Sequence, residues 1–182
     1  MIAKFKSLVK SDIKRYSVGG LTKGTLKCYF LHPGFRFTFW FRLHQCAPAN
    51  RPIRSILTLL VLRQALKTGI QINPGASIGE SLYIPHFGGI VINPYAVIGK
   101  NCYLSHNVLI GKVHTGKRMG VPVIGNDVFI GAGAVILGDI KIGDNAAIGA
   151  NSVVINDVPA NTFVAGSPAK VVAEKGADSI LG

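Results

Sequence analysis

Three histidines of this 182-residue chain, His86, His106 and His114, could do acid–base work. Imidazole titrates near neutral pH, so a positioned histidine can take a proton from an attacking hydroxyl and hand it on to a leaving group. His114 lies in the stretch GKVHTGKRMGVPV, Gly111 to Val123, together with Lys112, Lys117 and Arg118. These cations suit phosphates or carboxylates, and binding residues concentrate on loops carried by rigid scaffolds. A solvated loop and surface histidines would use the same residue types, so their meaning depends on the elements that position them.

Those elements are written in a six-residue period. Ile72, Ile78, Ile84 and Ile90 set a first register; after a two-residue slip come Ile92, Ile98, Leu104 and Ile110. After a longer gap follow Ile124, Ile130, Ile136, Ile142, Ile148 and Val154. A helix would space apolar residues three and four apart and a plain strand would alternate throughout, so this period signals a repeat architecture. Gly follows many anchors, then turn formers such as Asn126-Asp127 and Asp144-Asn145. Small or aliphatic residues, among them Ala76, Cys102, Val108, Ala134 and Ser152, return two places before the next anchor and face the same way. Each hexad is a very short strand plus a corner. Stacked corners bury a column of Ile and Val, each worth roughly 1.5–3 kcal/mol. Three hexads per coil would make a triangular prism. The histidines and the cationic loop fall where this repeat is interrupted: His86 and His106 flank the slip, and residues 111–123 replace a single hexad.

The net charge of +12 is unevenly spread. Residues 1–70 hold thirteen Lys and Arg against one acid, Asp12, whereas residues 71–182 hold seven of each. The basic segment, 1–69, also reads as helical: Ile2, Phe5, Val9 and Ile13 have helix spacing, and Pro52 to Lys67 runs to a C-cap glycine, Gly69. Its cations, interleaved with Phe35, Phe37, Phe39, Trp40 and Phe41, suit peripheral contact with an anionic membrane. The alternative is a helical cap whose aromatics pack onto the solenoid or another subunit. No nucleic-acid motif accompanies the charge. Cys28, Cys46 and Cys102 are odd in number without metal-like spacing, as expected of free thiols in a reducing compartment. Lys4, Lys6 and Lys10 interrupt any secretory-type apolar run, and no stretch approaches the roughly 20 apolar residues of a membrane span. The expected location is the cytoplasm, with peripheral contact at the inner face of the membrane as the option that this segment leaves open.

PHFGG at Pro85–Gly89, HTGK at His114–Lys117, IGAGAVILG at Ile130–Gly138 and VPANTFVAGSPAKVV at Val158–Val172 together resemble the hexapeptide-repeat acyltransferases. The likeness is to serine acetyltransferases and their relatives in capsule and colanic acid biosynthesis. It is strong over residues 70–172 and weaker at His32–Gln45, HPGFRFTFWFRLHQ. It implies a mainly β fold, a left-handed parallel β-helix with a short N-terminal α-helical segment and, beyond residue 172, a tail spanning 173–182. It also implies a homotrimer with acetyl-CoA as acyl donor in a groove between prisms, and no metal. By the same likeness His86 is the general base, His114 near the inserted loop is the alternative base, and His106 assists. Gly111, Thr115, Gly116 and Lys117 border the CoA arm, Ala132, Ala134 and Ala150 keep the groove wall low, and Lys170 faces the nucleotide phosphate.

The chain departs from serine acetyltransferases at the acceptor. Gln71 stands where the resemblance expects a carboxylate orienting His86, and an amide cannot stabilise an imidazolium by charge. Pro85 replaces the acid that holds the substrate ammonium, and the basic position for its carboxylate falls near Val121. Each lost charge-assisted contact costs on the order of 1.5–3 kcal/mol. The expected reaction is therefore O-acetylation of a saccharide hydroxyl, in a polysaccharide unit or its precursor, with serine as the alternative acceptor. A gamma-type carbonic anhydrase, with three histidines on zinc, and a non-catalytic scaffold are the remaining classes.

Overall fold

The computed structural model describes residues 2–16 and 24–181. Four helices come first: α1 (Ile2–Tyr16), α2 (Thr25–Leu31), α3 (Pro33–Gln45) and α4 (Arg51–Thr68). Pro33 and Pro52 sit in the first turns of α3 and α4, where a missing N–H is no loss. α4 stops at Gly69, which takes the left-handed φ of 66° and donates its N–H to the Ala65 carbonyl.

From Ile70 the chain winds into a left-handed parallel β-helix with three flat faces. Face one pairs β1 (Ile70–Ile72), β3 (Ile90–Ile92), β6 (Leu109–Gly111), β9 (Val135–Leu137) and β12 (Val153–Val154). Face two pairs β2 (Ser77–Ile78), β4 (Val97–Ile98), β7 (Val123–Ile124) and β10 (Lys141–Ile142). Face three pairs β5 (Tyr103–Leu104), β8 (Phe129–Ile130), β11 (Ala147–Ile148) and β13 (Phe163–Gly166), with β14 (Ala169–Ala173) returning antiparallel on β13. Beyond β14 the chain folds back, so that Ala177 donates to the Asn145 carbonyl before α5 (Asp178–Leu181).

Every six-residue anchor points inward, none more than 3% exposed. Ile90 and Ile92 both do so, with Val91 outward between them, so the apparent slip does not displace the strand. The strand register shows where the extra residues go. Ile72 pairs with Ile92, Ile92 with Ile110, Ile110 with Ile136 and Ile136 with Val154. Two of these coils have the three-hexad length. The coil from Ile72 carries two more residues, at the corner around His86–Gly89, and the coil from Ile110 carries the insertion, whose Val113 and Gly120 pair as an antiparallel bridge. Asp127 and Asn145 take positive φ at their corners, as their residue types allow.

The helices close the open end of the prism. Phe37 and Phe41 of α3 and Val61 and Ala65 of α4 join the solenoid core, while Val9, Tyr16, Cys28 and Phe35 form a second cluster. Of the two readings of the aromatic run, membrane contact and a cap packed on the solenoid, the structure shows the cap: Phe35, Phe37 and Phe41 are wholly buried, and Phe39 and Trp40 are half-buried. Hydrophobic burial claims them, since each large side chain gains more in a dry core than on a surface.

A parallel coil at the end of a stack has peptide groups with no neighbouring strand. Here the cap's side chains serve them. Asp12 accepts the Leu82 N–H at 2.9 Å and Ser11 Oγ accepts that of Ser81 at 3.2 Å. Arg42 donates to the carbonyls of Ile78 (2.8 Å) and Gly79 (2.6 Å) while gripping Asp12 through Nε at 2.8 Å and a terminal nitrogen at 3.1 Å. Burial pushes the Asp12 carboxyl above its ordinary value, and Arg42 and the Leu82 amide pull against that.

Candidate active site

His86 and His106 are brought together. Both are exposed, their rings 5.9 Å apart and edge to face. Each stands at the corner leading into face one, in successive coils. Backbone bonds tie that column: Asn107 N–H to Gly88 O (3.0 Å), Gly133 N–H to His106 O (3.0 Å) and Asn151 N–H to Ala132 O (2.8 Å). The column therefore runs from His86 past His106 to Ala132 and Ala150.

The PHFGG turn protrudes because its glycines allow it. Gly88 has φ 102° and Gly89 φ 66°, and a Cβ on Gly89 would overlap the Asn107 side chain. The backbone entering the turn is held from below. Tyr16 Oη accepts from Ile84 N–H and donates to Ile84 O, and α3 presses on the same residue at Gly34, where a Cβ would strike the Ile84 carbonyl. Burial raises the Tyr16 phenol well above its ordinary range, so it stays neutral and keeps its donor proton.

A cavity of about 410 Å³ opens here, lined by Leu31, His32, Pro33, Pro85, His86, Phe87 and His106. His32, at the start of α3, rests against Tyr16 at 5.2 Å between ring centroids, and its buried Nε2 has no hydrogen-bond partner among the described residues. The sequence reading missed His32 and Tyr16 as contributors to the site, because they lie outside the hexads and no spacing links them to His86.

Gln71 lies on face one, exposed, and lines a different cavity with Val61 and Ala65 of α4. No hydrogen bond joins it to His86. His114 is also apart: it stands on the exposed hairpin that follows β6, whereas His106 precedes β6, so a three-residue strand of roughly 10 Å separates their corners. The hairpin carries exposed Thr115, Gly116 and Lys117, and its Arg118 meets Asp157 at 3.2 Å. Gly111 ends β6 against Leu137, whose Cδ2 would lie 2.7 Å from a Cβ there. Ala132 is half-buried, and Ala150 and Lys170 are exposed. Ala134 corrects an expectation: it is wholly buried in the solenoid core, facing Ile and Val rather than a groove. Its place two residues before the anchor Ile136 dictates that direction.

Among the described residues no group of three or more His, Cys, Asp or Glu is placed to hold a metal ion, and no helix is long and apolar enough to cross a membrane.

Residues 122–156 match the bacterial transferase hexapeptide (six repeats) family. The chain is 40% identical over 154 residues to the serine acetyltransferase of Synechococcus elongatus, covering 83% of this chain and 60% of that protein. It is 48% identical over 111 residues to that of Staphylococcus epidermidis, covering 60% of this chain and 51% of the relative. The crystal structure of Neisseria gonorrhoeae serine acetyltransferase superposes with a TM-score of 0.81 at 32% identity, over 95% of this chain and 69% of that one. Soybean serine acetyltransferase complexed with serine gives 0.79 at 32%, over 93% and 70%. The chain thus spans about 60% of the Synechococcus relative's length.

These likenesses overturn the saccharide acceptor expected from the sequence, because each is to a serine acetyltransferase. That expectation rests on the missing charged partners at solenoid positions such as Pro85 and Val121. The cavity wall also takes residues from the helical cap, His32 among them, which the hexad pattern leaves out.

Proposed function

Because this chain belongs to the serine acetyltransferase-like hexapeptide-repeat acyltransferases, we propose that it transfers the acetyl group of acetyl-CoA to the hydroxyl of serine. The pairing of His86 with His106 on a turn anchored through Ile84 carries the reading. A neutral His86 takes the hydroxyl proton as the oxygen attacks the thioester carbonyl carbon. The carbon–sulfur bond then breaks, and the proton passes to the departing CoA sulfur, which leaves as the thiol. His106 borders the same cavity and assists in orienting the acceptor. His114, across face one, is assigned to the CoA side rather than to proton transfer.

Acetyl-CoA is proposed to lie along face one, with Ala132 and Ala150 leaving room for the thin pantetheine chain. Gly111, Thr115, Gly116 and Lys117 border it, and Lys170 meets a phosphate. The hairpin and the histidine corner occupy opposite edges of face one within one chain. A homotrimer, in which one protomer's hairpin reaches its neighbour's histidine corner, would complete the site. Three free cysteines fit a reducing, cytoplasmic setting where acetyl-CoA is made and used.

The test is CoA thiol release from acetyl-CoA with serine as acceptor. Serine-dependent turnover is expected, falling about 10²–10⁴-fold in His86→Ala. No turnover of serine would overturn the acceptor, and an unchanged rate in His86→Ala would remove the base. Sedimentation equilibrium should return three times the chain mass; a monomer of full activity would refute the shared site.

A further inference from the structure

We infer that the outward face of α4 is a docking surface for an anionic lipid bilayer. The helix turns Val61, Gln64, Ala65 and Thr68 toward the body of the protein. Its other side leaves large apolar residues in solvent: Ile56 is 59% exposed, Leu59 65%, Leu62 53% and Leu66 78%. Spaced three and four apart, they form one stripe. Arg63 lies four residues after Leu59 and Lys67 four after Arg63, both exposed, so the cations share this sector. Apolar side chains that can enter the acyl boundary, with Lys and Arg stems reaching out to headgroups, are the pattern of a helix lying in an interface.

Charge identifies the partner. α4 carries Arg51, Arg54, Arg63 and Lys67 and no acid. The only acid in residues 1–70, Asp12, is 1% exposed and held by Arg42, so this segment puts no carboxylate on the surface against its cations. Lys23, one of the thirteen, lies outside the described residues. A second copy of α4 laid against the first would juxtapose four cations with four cations, which opposes association. An anionic bilayer meets both the stripe and the charge. No described helix can span a membrane, so the contact is peripheral.

The experiment is co-sedimentation of the full chain with vesicles of phosphatidylcholine, alone or mixed with phosphatidylglycerol, at low and high salt. Binding to the phosphatidylglycerol vesicles alone, weakened by salt, is expected. Arg51→Gln/Arg63→Gln/Lys67→Gln should weaken it about a hundredfold, and Leu59→Ser/Leu66→Ser should weaken it at both salt levels. Each variant should keep the parent melting temperature and its vesicle-free acetyl transfer, because these side chains face solvent. Equal binding to both vesicle types, no binding to either, or wild-type binding by the triple variant would overturn the inference. So would a smaller sedimenting mass for Leu59→Ser/Leu66→Ser with vesicle binding intact, which would assign the face to a second copy of the chain.

Discussion

The Tyr16 hydroxyl holds both backbone polar groups of Ile84, accepting its N–H at 3.1 Å and donating to its C=O at 3.2 Å, two residues before His86. Removing that hydroxyl in Tyr16→Phe strands two buried peptide groups. A loss of about 1–3 kcal/mol in denaturant-unfolding free energy is expected. Because Tyr16 touches no reacting atom, kcat should fall through displacement of His86 while KM for acetyl-CoA holds; equal stability and kcat would contradict this positioning role.

Asp12 and Arg42 form a buried pair that also satisfies the unpaired edge of the first coil. Asp12→Ala or Arg42→Met alone should cost about 3–5 kcal/mol, because each leaves its partner's charge buried and uncompensated. The double variant should lose less than the sum. Urea unfolding of all four proteins gives the coupling energy, and simple additivity would show that the pair does not act as a unit.

Ala150 ends the column that starts at His86, and its side chain is exposed. Ala150→Leu fills the proposed pantetheine path. KM for acetyl-CoA should rise roughly tenfold or more, with the melting temperature unchanged. A variant with parental KM would move the donor groove elsewhere.

His44 joins α3 to α4. Its Nε2 lies 3.1 Å from Thr58 Oγ1, whose own proton goes to the Arg54 carbonyl at 2.8 Å, so the ring donates from Nε2 and leaves its buried Nδ1 bare. Burial first, and the Arg54 charge second, hold His44 below its ordinary value. Between the unfolded value of about 6.5 and that lowered value, the unfolded chain binds more protons, so stability falls as pH falls. Melting curves on either side of about pH 6.5 should show this loss, reduced in His44→Gln; identical slopes in the two proteins would exclude His44 as its source.

Cys102 is wholly buried, and burial pushes its thiol up to about 12. Cys28 is equally shielded, whereas Cys46 is only half-buried. Iodoacetamide should label Cys46 first in the native protein and all three once urea is added. Early labelling of Cys102, read by peptide mass spectrometry, would show that the second coil opens.

The solenoid was legible in the sequence because each hexad repeats a local rule: an anchor points inward, a glycine or Asn turns the corner, and the next coil stacks on it. From Ile72 to Val154 no anchor faces solvent. The same rule marked His86 and the hairpin as interruptions. It also contained the answer for Ala134, whose place before Ile136 sends it inward, and a resemblance to a groove residue obscured that. A helical cap was legible as one of two readings, but its polar contacts were not. Asp12, Tyr16 and Arg42 meet the first coil across 36 to 70 residues of sequence, and what they satisfy is an edge that only the folded stack creates. For the same reason the sequence alone leaves the aromatic run of α3 between a membrane surface and a packed cap, and the prism's open end decides for the cap.

The uneven coils have a further meaning. In an ordinary sheet an odd insertion within a strand turns every later side chain over, so length is tightly policed. Here the coil between Ile72 and Ile92 and the one between Ile110 and Ile136 take in different numbers of extra residues, and both return to the parent register at the next strand. The corners beside face one behave as ports: chain can be let in or taken out there without the core registering the change. The His86 corner and the hairpin, proposed above for acceptor and donor, can therefore diverge independently while the column of isoleucines stays the same.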